Sequence, residues 1–163
     1  MKKALLILIP FILLLVIITF LLITKSQQAQ QFYLNDEYYG NSSLIEIDSE
    51  KLKTLEKDKK TFVVFVYQPL CSTSYDLNNY VTEFLDTYKM GFYKILFSSI
   101  KDTSIVDYVK YCPSVVIYRN GKIIAYLDAD SDKDAVYYES VENLKKWLTK
   151  YVLLRDNLEW ETK

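Results

Sequence analysis

Hydrophobic positions along this chain come in blocks with different periods. Ala4–Thr24 is an uninterrupted apolar run without a single charge. At about 1.5 Å of helical rise per residue it reaches roughly 30 Å, the thickness of one hydrocarbon core, so a single N-terminal transmembrane helix is expected. Pro10 is tolerated inside such a helix and can kink it. A cleaved signal peptide would have a shorter apolar region of about 7–15 residues ending in a small-x-small site. The following KSQQAQQF offers no such site. Lys2 and Lys3 precede the run and only Lys25 lies close behind it. The positive-inside rule therefore places the N-terminus in the cytoplasm and the rest outside, as a single-pass cell-membrane protein.

Beyond the anchor, Ser26–Asn41 is polar with no clear period and reads as a tether. Leu44–Ile47 alternates as a short strand does. Ser49–Lys57 reads as a polar helix with Leu52 and Leu55 on one face. Phe62–Tyr67 is continuously apolar, β-branched and aromatic, which suits a strand buried on both faces. A helix follows with Leu77, Tyr80, Val81, Phe84, Leu85 and Tyr88 at spacings of three and four, broken at Met90–Gly91. Phe92–Phe97 predicts another buried strand. Ile105, Val106 and Val109 predict a short helix ending near Lys110. Ser114–Tyr118 and Ile123–Leu127 flank a turn containing Asn120-Gly121, a strong hairpin signal. A last helix is expected from Ser140 to Leu153. The order is β-α-β-α-β-α-β-β-α, an α/β sheet closed by an antiparallel hairpin. The predicted layout is an anchor at 1–25, a linker at 26–42, one domain at 43–154 and a tail at 155–163.

Composition narrows the chemistry. The chain has no histidine, which excludes Ser-His-Asp and Cys-His catalysis and any His-ligated metal. Its two cysteines cannot build a structural zinc site unaided. A net charge of −1 without a basic patch argues against nucleic acid. No cofactor or metal is expected. The membrane itself is one expected partner.

Cys71 is where chemistry is expected. It stands where the buried strand hands over to a helix, after Gln68–Leu70 and before Ser72, Thr73 and Ser74, which offer N-caps. Backbone N–H groups at a helix start stabilise a thiolate, so a cysteine there can be reactive. A cysteine in such a turn also serves as plain packing.

The strand order, the cysteine after the second strand and the segment Tyr111-Cys112-Pro113-Ser114-Val115-Val116-Ile117-Tyr118-Arg119-Asn120-Gly121 together resemble the thioredoxin family. The resemblance covers Leu44–Val152. It implies a thioredoxin-like central mixed sheet flanked by helices, with a cis-proline at Pro113 facing Cys71 across a groove. Two departures bear on function. Thioredoxins carry Cys-x-x-Cys; this chain has Cys71-Ser72-Thr73-Ser74. Phe65 holds the place where thioredoxins often bury an acidic proton acceptor. Cys112, immediately before the proline, is implied to lie beside Cys71 in the groove, with Tyr67 and Tyr111 adjacent.

Two functions follow from the resemblance. In the first, Cys71 attacks the disulfide of an exported cysteine-containing protein or peptide, Ser74 hydrogen-bonds the thiolate, and Cys112 or a substrate thiol resolves the adduct. In the second, a permanent Cys71–Cys112 disulfide staples a non-catalytic binding module and stabilises it by roughly 3–4 kcal/mol. An anchored, exported domain of this kind is also similar to the accessory proteins of bacteriocin export systems, although those normally keep Cys-x-x-Cys. Separately, Asp128, Asp130, Asp132 and Asp134, with Glu139 behind them, space carboxylates like a calcium loop. Lys133 replaces the turn glycine, so a solvated acidic turn is expected there.

The topology has a direct check. Protease added to intact cells should remove the domain, whereas a protected domain with a cytoplasm-facing tag would overturn the orientation.

Overall fold

The computed structural model describes residues 30–155. The Ala4–Thr24 run lies outside them, as does Trp160. Among the described residues, no helix is long and apolar enough to cross a membrane.

Five strands form one sheet in the order β1-β3-β2-β4-β5. They are β1 (Ser43–Glu46), β2 (Phe62–Tyr67), β3 (Gly91–Leu96), β4 (Ser114–Arg119) and β5 (Lys122–Tyr126). Among the described residues the α-helices are α1 (Ser49–Lys57), α2 (Ser72–Tyr88) and α3 (Val141–Leu148). β1 and β2 both run parallel to β3, while β4 is antiparallel to β2 and to β5. β2 is central, and Phe62, Val63, Val64, Phe65 and Val66 are all fully buried. That explains its lack of alternation: neither face meets water. The helices bury Leu52 and Leu55 on α1, Leu77, Val81, Phe84 and Leu85 on α2, and Leu144, Trp147 and Leu148 on α3.

The hairpin turn follows the expected chemistry. Asn120 and Gly121 both have positive φ, at 52° and 73°. A Cβ on Gly121 would stand 2.1 Å from the Glu56 carbonyl oxygen at the end of α1. Glycine is therefore required twice, by the backbone angle and by the close approach.

Four expectations need correction. The supposed tether joins the core from Phe32 onward: Phe32, Leu34, Tyr38 and Tyr39 are buried. Backbone bonds fix it, Phe32 N–H to the Tyr151 carbonyl at 2.9 Å and Leu153 N–H to the Phe32 carbonyl at 2.8 Å. Asn35 pairs with Thr61 through both main chain and side chain. Those same contacts shorten the last helix, which stops at Leu148 because Tyr151–Leu153 leaves it to pair with Phe32. The short helix around Ile105–Val109 is a 3₁₀ turn at Ser104–Asp107, preceded by another at Phe97–Ile100. Finally, Arg155 is not a free tail residue; its guanidinium lies over the Tyr39 ring, 4.4 Å from the centroid, and bonds Asp36.

Phe32→Ala tests the largest correction. A tether residue would tolerate it, whereas a core residue should lose about 3 kcal/mol in denaturant unfolding. Gly121→Ala should also destabilise, by at least about 1 kcal/mol, since both the angle and the space are wrong.

Candidate active site

The end of β2 and the start of β4 are neighbours, because Val66 pairs with Ser114 in antiparallel register. Chain leaving β2 reaches Cys71 within five residues, and chain entering β4 has just passed Cys112 and Pro113. The Cys112–Pro113 peptide bond is cis. Leu70 is fully exposed at the tip of the loop, with φ of 61°. Pairing of two strands thus brings together two cysteines far apart in sequence.

Cys71 itself is the N-cap of α2, with extended backbone angles. This differs from the expectation that Ser72, Thr73 or Ser74 would cap. The hydroxyl residues are instead the first turn of the helix. The Ser74 N–H is the main group that lowers the Cys71 pKa, followed by the Ser74 hydroxyl; Thr73 adds smaller contributions of both kinds and burial opposes them. A cysteine at a helix start is placed to be a thiolate, and here the donors that do it are identified.

Ser74 is buried and lies between the two sulfurs. Its Oγ accepts a hydrogen bond from the Gln68 N–H at 3.2 Å and stands 3.6 Å from Cys112 Sγ. The hydroxyl has one proton to give. When Cys71 is ionised, donation to that charge is the stronger use of it. Cys112 behaves oppositely. Its thiol donates to the Val66 carbonyl at 3.6 Å. Burial pushes its pKa up to about 11; the Ser74 hydroxyl works against this, and the charge of Cys71 adds to it. Both cysteines are free thiols, so the stapled form is not the one seen.

The remaining expected residues divide. Pro113 is buried behind Cys112, and Tyr111 is exposed beside it. Tyr67 lines a neighbouring cleft, and its hydroxyl donates to Glu46 Oε1 at 2.7 Å. Phe65 is fully buried, an apolar ring at the position of the family's acid. Tyr138 had no signal in the sequence beyond its place after the acidic run. Its hydroxyl donates to the Pro113 carbonyl at 3.0 Å, holding the proline segment from behind. In the acidic segment, Asp134 Oδ2 accepts from the Asp128 N–H at 2.9 Å and Asp128 Oδ1 from the Asp130 N–H at 3.1 Å. Those carboxylates are engaged with main chain.

The architecture is that of the thioredoxin fold. A reduced thioredoxin pre-protein from Schistosoma mansoni superposes with a TM-score of 0.51 at 19% identity, over 68% of this chain and 99% of that one. A mutant thioredoxin from Halobacterium salinarum NRC-1 gives 0.53 at 15% identity, over 71% and 96%. No family model matches the sequence, and no curated protein does either. At these identities the likeness establishes the fold.

The two thiols should separate in a pH series. The thiolate is the reactive form, so a lowered pKa moves the Cys71 alkylation curve to lower pH and a raised one moves the Cys112 curve higher. With iodoacetamide and mass mapping, Cys71 should titrate with a midpoint below the free value of about 8.5. Cys112 should stay largely unreacted until the solution approaches pH 11.

Proposed function

We propose that this chain is a membrane-anchored, extracytoplasmic protein that exchanges disulfides in exported cysteine-containing proteins or peptides, with Cys71 as the nucleophile. One arrangement carries the reading: Cys71 caps α2 beside the donors of Ser74 and Thr73, which favour its thiolate, while half-buried Cys112 donates to the Val66 carbonyl at 3.6 Å, which favours its thiol.

The steps balance without an external oxidant or reductant. The Cys71 thiolate attacks one sulfur of a substrate disulfide; that S–S bond breaks, a Cys71–substrate disulfide forms, and the other substrate sulfur leaves as a thiolate. A substrate thiolate then attacks the substrate sulfur of the mixed disulfide. A new substrate disulfide forms and Cys71 departs as a thiolate. Its lowered pKa serves it twice, first as an ionised attacker and then as a good leaving group. The net change is a rearrangement.

Ser74 supports this over the two-cysteine cycle of the family. A hydroxyl at that position can stabilise the leaving thiolate of Cys71 but cannot displace the substrate. Cys112 is close enough to compete, yet at neutral pH it is protonated and hydrogen-bonded to Val66. Phe65 puts a buried apolar ring where thioredoxins often bury an acidic proton acceptor. Substrate therefore stays attached long enough for its own thiols to act. Peptides of the bacteriocin class, exported and bearing disulfides, are a substrate class consistent with an anchored domain of this kind.

Scrambled disulfide-bonded peptide incubated with the full-length protein tests the reading by separating products chromatographically. Cys71→Ser should abolish both mixed disulfides and rearrangement. Ser74→Ala should raise the Cys71 titration midpoint and slow rearrangement at pH 7. Cys112→Ser should leave the rate within about twofold, since a protonated thiol contributes little. Accumulation of a trapped adduct in Cys112→Ser would instead identify Cys112 as the resolving thiol and replace rearrangement with a net redox cycle.

A further inference from the structure

Beside the cysteines lies a cleft of about 630 Å³ that the exchange chemistry does not use. Its walls come from three segments: the end of β2 with Gln68 and Pro69, the 3₁₀ turn after β3, and the 3₁₀ turn before β4. Phe97, Ile100, Val106 and Val109 make it apolar. Its volume falls within the range of roughly 300–1,000 Å³ typical of ligand sites. Among the described residues, the charged ones lining it are Lys101 and Lys110, both exposed. Lys110 donates through Nζ to the carbonyl of Val106, another lining residue, at 2.6 Å. Glu46, on β1 beyond β3, accepts the Tyr67 hydroxyl at 2.7 Å and pairs with Lys94 at 3.8 Å. Asp102 and Asp107 sit next in sequence to lining residues but do not line the cleft.

The same segments lead into the site. Gln68 and Pro69 run directly to Cys71, and Val109 and Lys110 run directly to Cys112. A peptide bonded to Cys71 through its own cysteine would extend its flanking residues over this cleft. Two cations at an apolar opening suit an apolar side chain followed by a carboxylate.

We infer that the cleft is a specificity site for the peptide substrate of Cys71, receiving a bulky apolar residue that stands next to an acidic residue within a few positions of the substrate cysteine. The inference rests on the exchange reading above and adds the substrate's sequence class to it. The apolar side chain fills the space between Phe97 and Val109, and the neighbouring carboxylate meets Lys101 and Lys110. The lysines supply charge preference and the walls supply affinity.

The test uses the full-length chain in detergent and synthetic cysteine peptides activated as mixed disulfides with a coloured aromatic thiol. Release of that thiol gives the rate constant of attack by Cys71. Peptides with Leu-Glu, Leu-Lys or Ser-Lys flanks, placed before or after the cysteine, are compared. The Leu-Glu peptide should react about tenfold or more faster than the Ser-Lys peptide on at least one side. Lys101→Glu combined with Lys110→Glu, both on exposed positions, should invert the Glu-over-Lys preference. Equal rates for all flanks, with brisk release of thiol, would overturn the specificity site and leave Cys71 as nucleophile. No release from any peptide, with Cys71 still open to alkylation, would overturn the exchange reading and the specificity site with it. A second measurement needs no exchange: Cys71→Ser protein is titrated with a Leu-Glu peptide whose cysteine is replaced by serine. Amide shifts should concentrate at Val109, Lys110 and Gln68. Their absence at millimolar peptide would overturn the site independently.

Discussion

Everything at the site depends on the antiparallel pairing of β2 with β4. Phe62 opposes Tyr118 at one end of the ladder and Val66 opposes Ser114 at the other. Because the strands run in opposite directions, the exit of β2 and the entry of β4 share one end of the sheet. Phe62–Val66 of the central strand are fully buried, so a register slip is opposed along that stretch. The ladder thus fixes the Val66 carbonyl beside Cys112 and the Gln68 N–H beside Ser74. Chemistry at the tip inherits its geometry from packing in the middle.

That inheritance explains why the two thiols differ. Each sits at the same end of the sheet, yet one is a helix cap and the other a loop residue against a strand. The cap meets N–H donors and a hydroxyl, which favour charge. The loop residue meets burial and a carbonyl, which favour the proton. Ser74 connects them and can give its single proton to only one. In a Cys-x-x-Cys motif that position would itself be a thiol in competition for the substrate. Serine keeps the polarity and removes the nucleophile.

Much of this was legible in the chain. β2 announces itself by an unbroken apolar run, and the hairpin by Asn120-Gly121, whose backbone angles and contact with Glu56 bear the motif out. The Cys71–Ser74 neighbourhood was legible because a helix start is a local feature. What failed was non-local. Phe32, Leu34, Tyr38 and Tyr39 have no period of their own, and they enter the core only because Tyr151–Leu153 and Thr61 supply bonding partners far along the chain. The last helix ended early for the same reason. Tyr67 read as a groove residue because it is near Cys71 in sequence; it lines the neighbouring cleft, with its hydroxyl held by Glu46. The cleft could not be read at all, since its three walls are separated in sequence.

The acidic segment takes its role from its own turn. Asp128 and Asp134 space like part of a calcium loop, and both accept from backbone N–H groups of that turn. Those bonds shape the run-up to Ala135–Tyr138, a 3₁₀ turn that carries Tyr138. Tyr138 is half-buried, and burial raises its pKa well above the ordinary tyrosine value, with Asp134 and Asp128 contributing in the same direction. Its hydroxyl therefore keeps its proton across the physiological range, as donation to the Pro113 carbonyl requires. An ionised tyrosine there would lose the donor and place a negative charge near Cys112. The carboxylates thus act through the segment's shape and through the tyrosine, holding the proline loop against the sheet while Cys112 remains neutral.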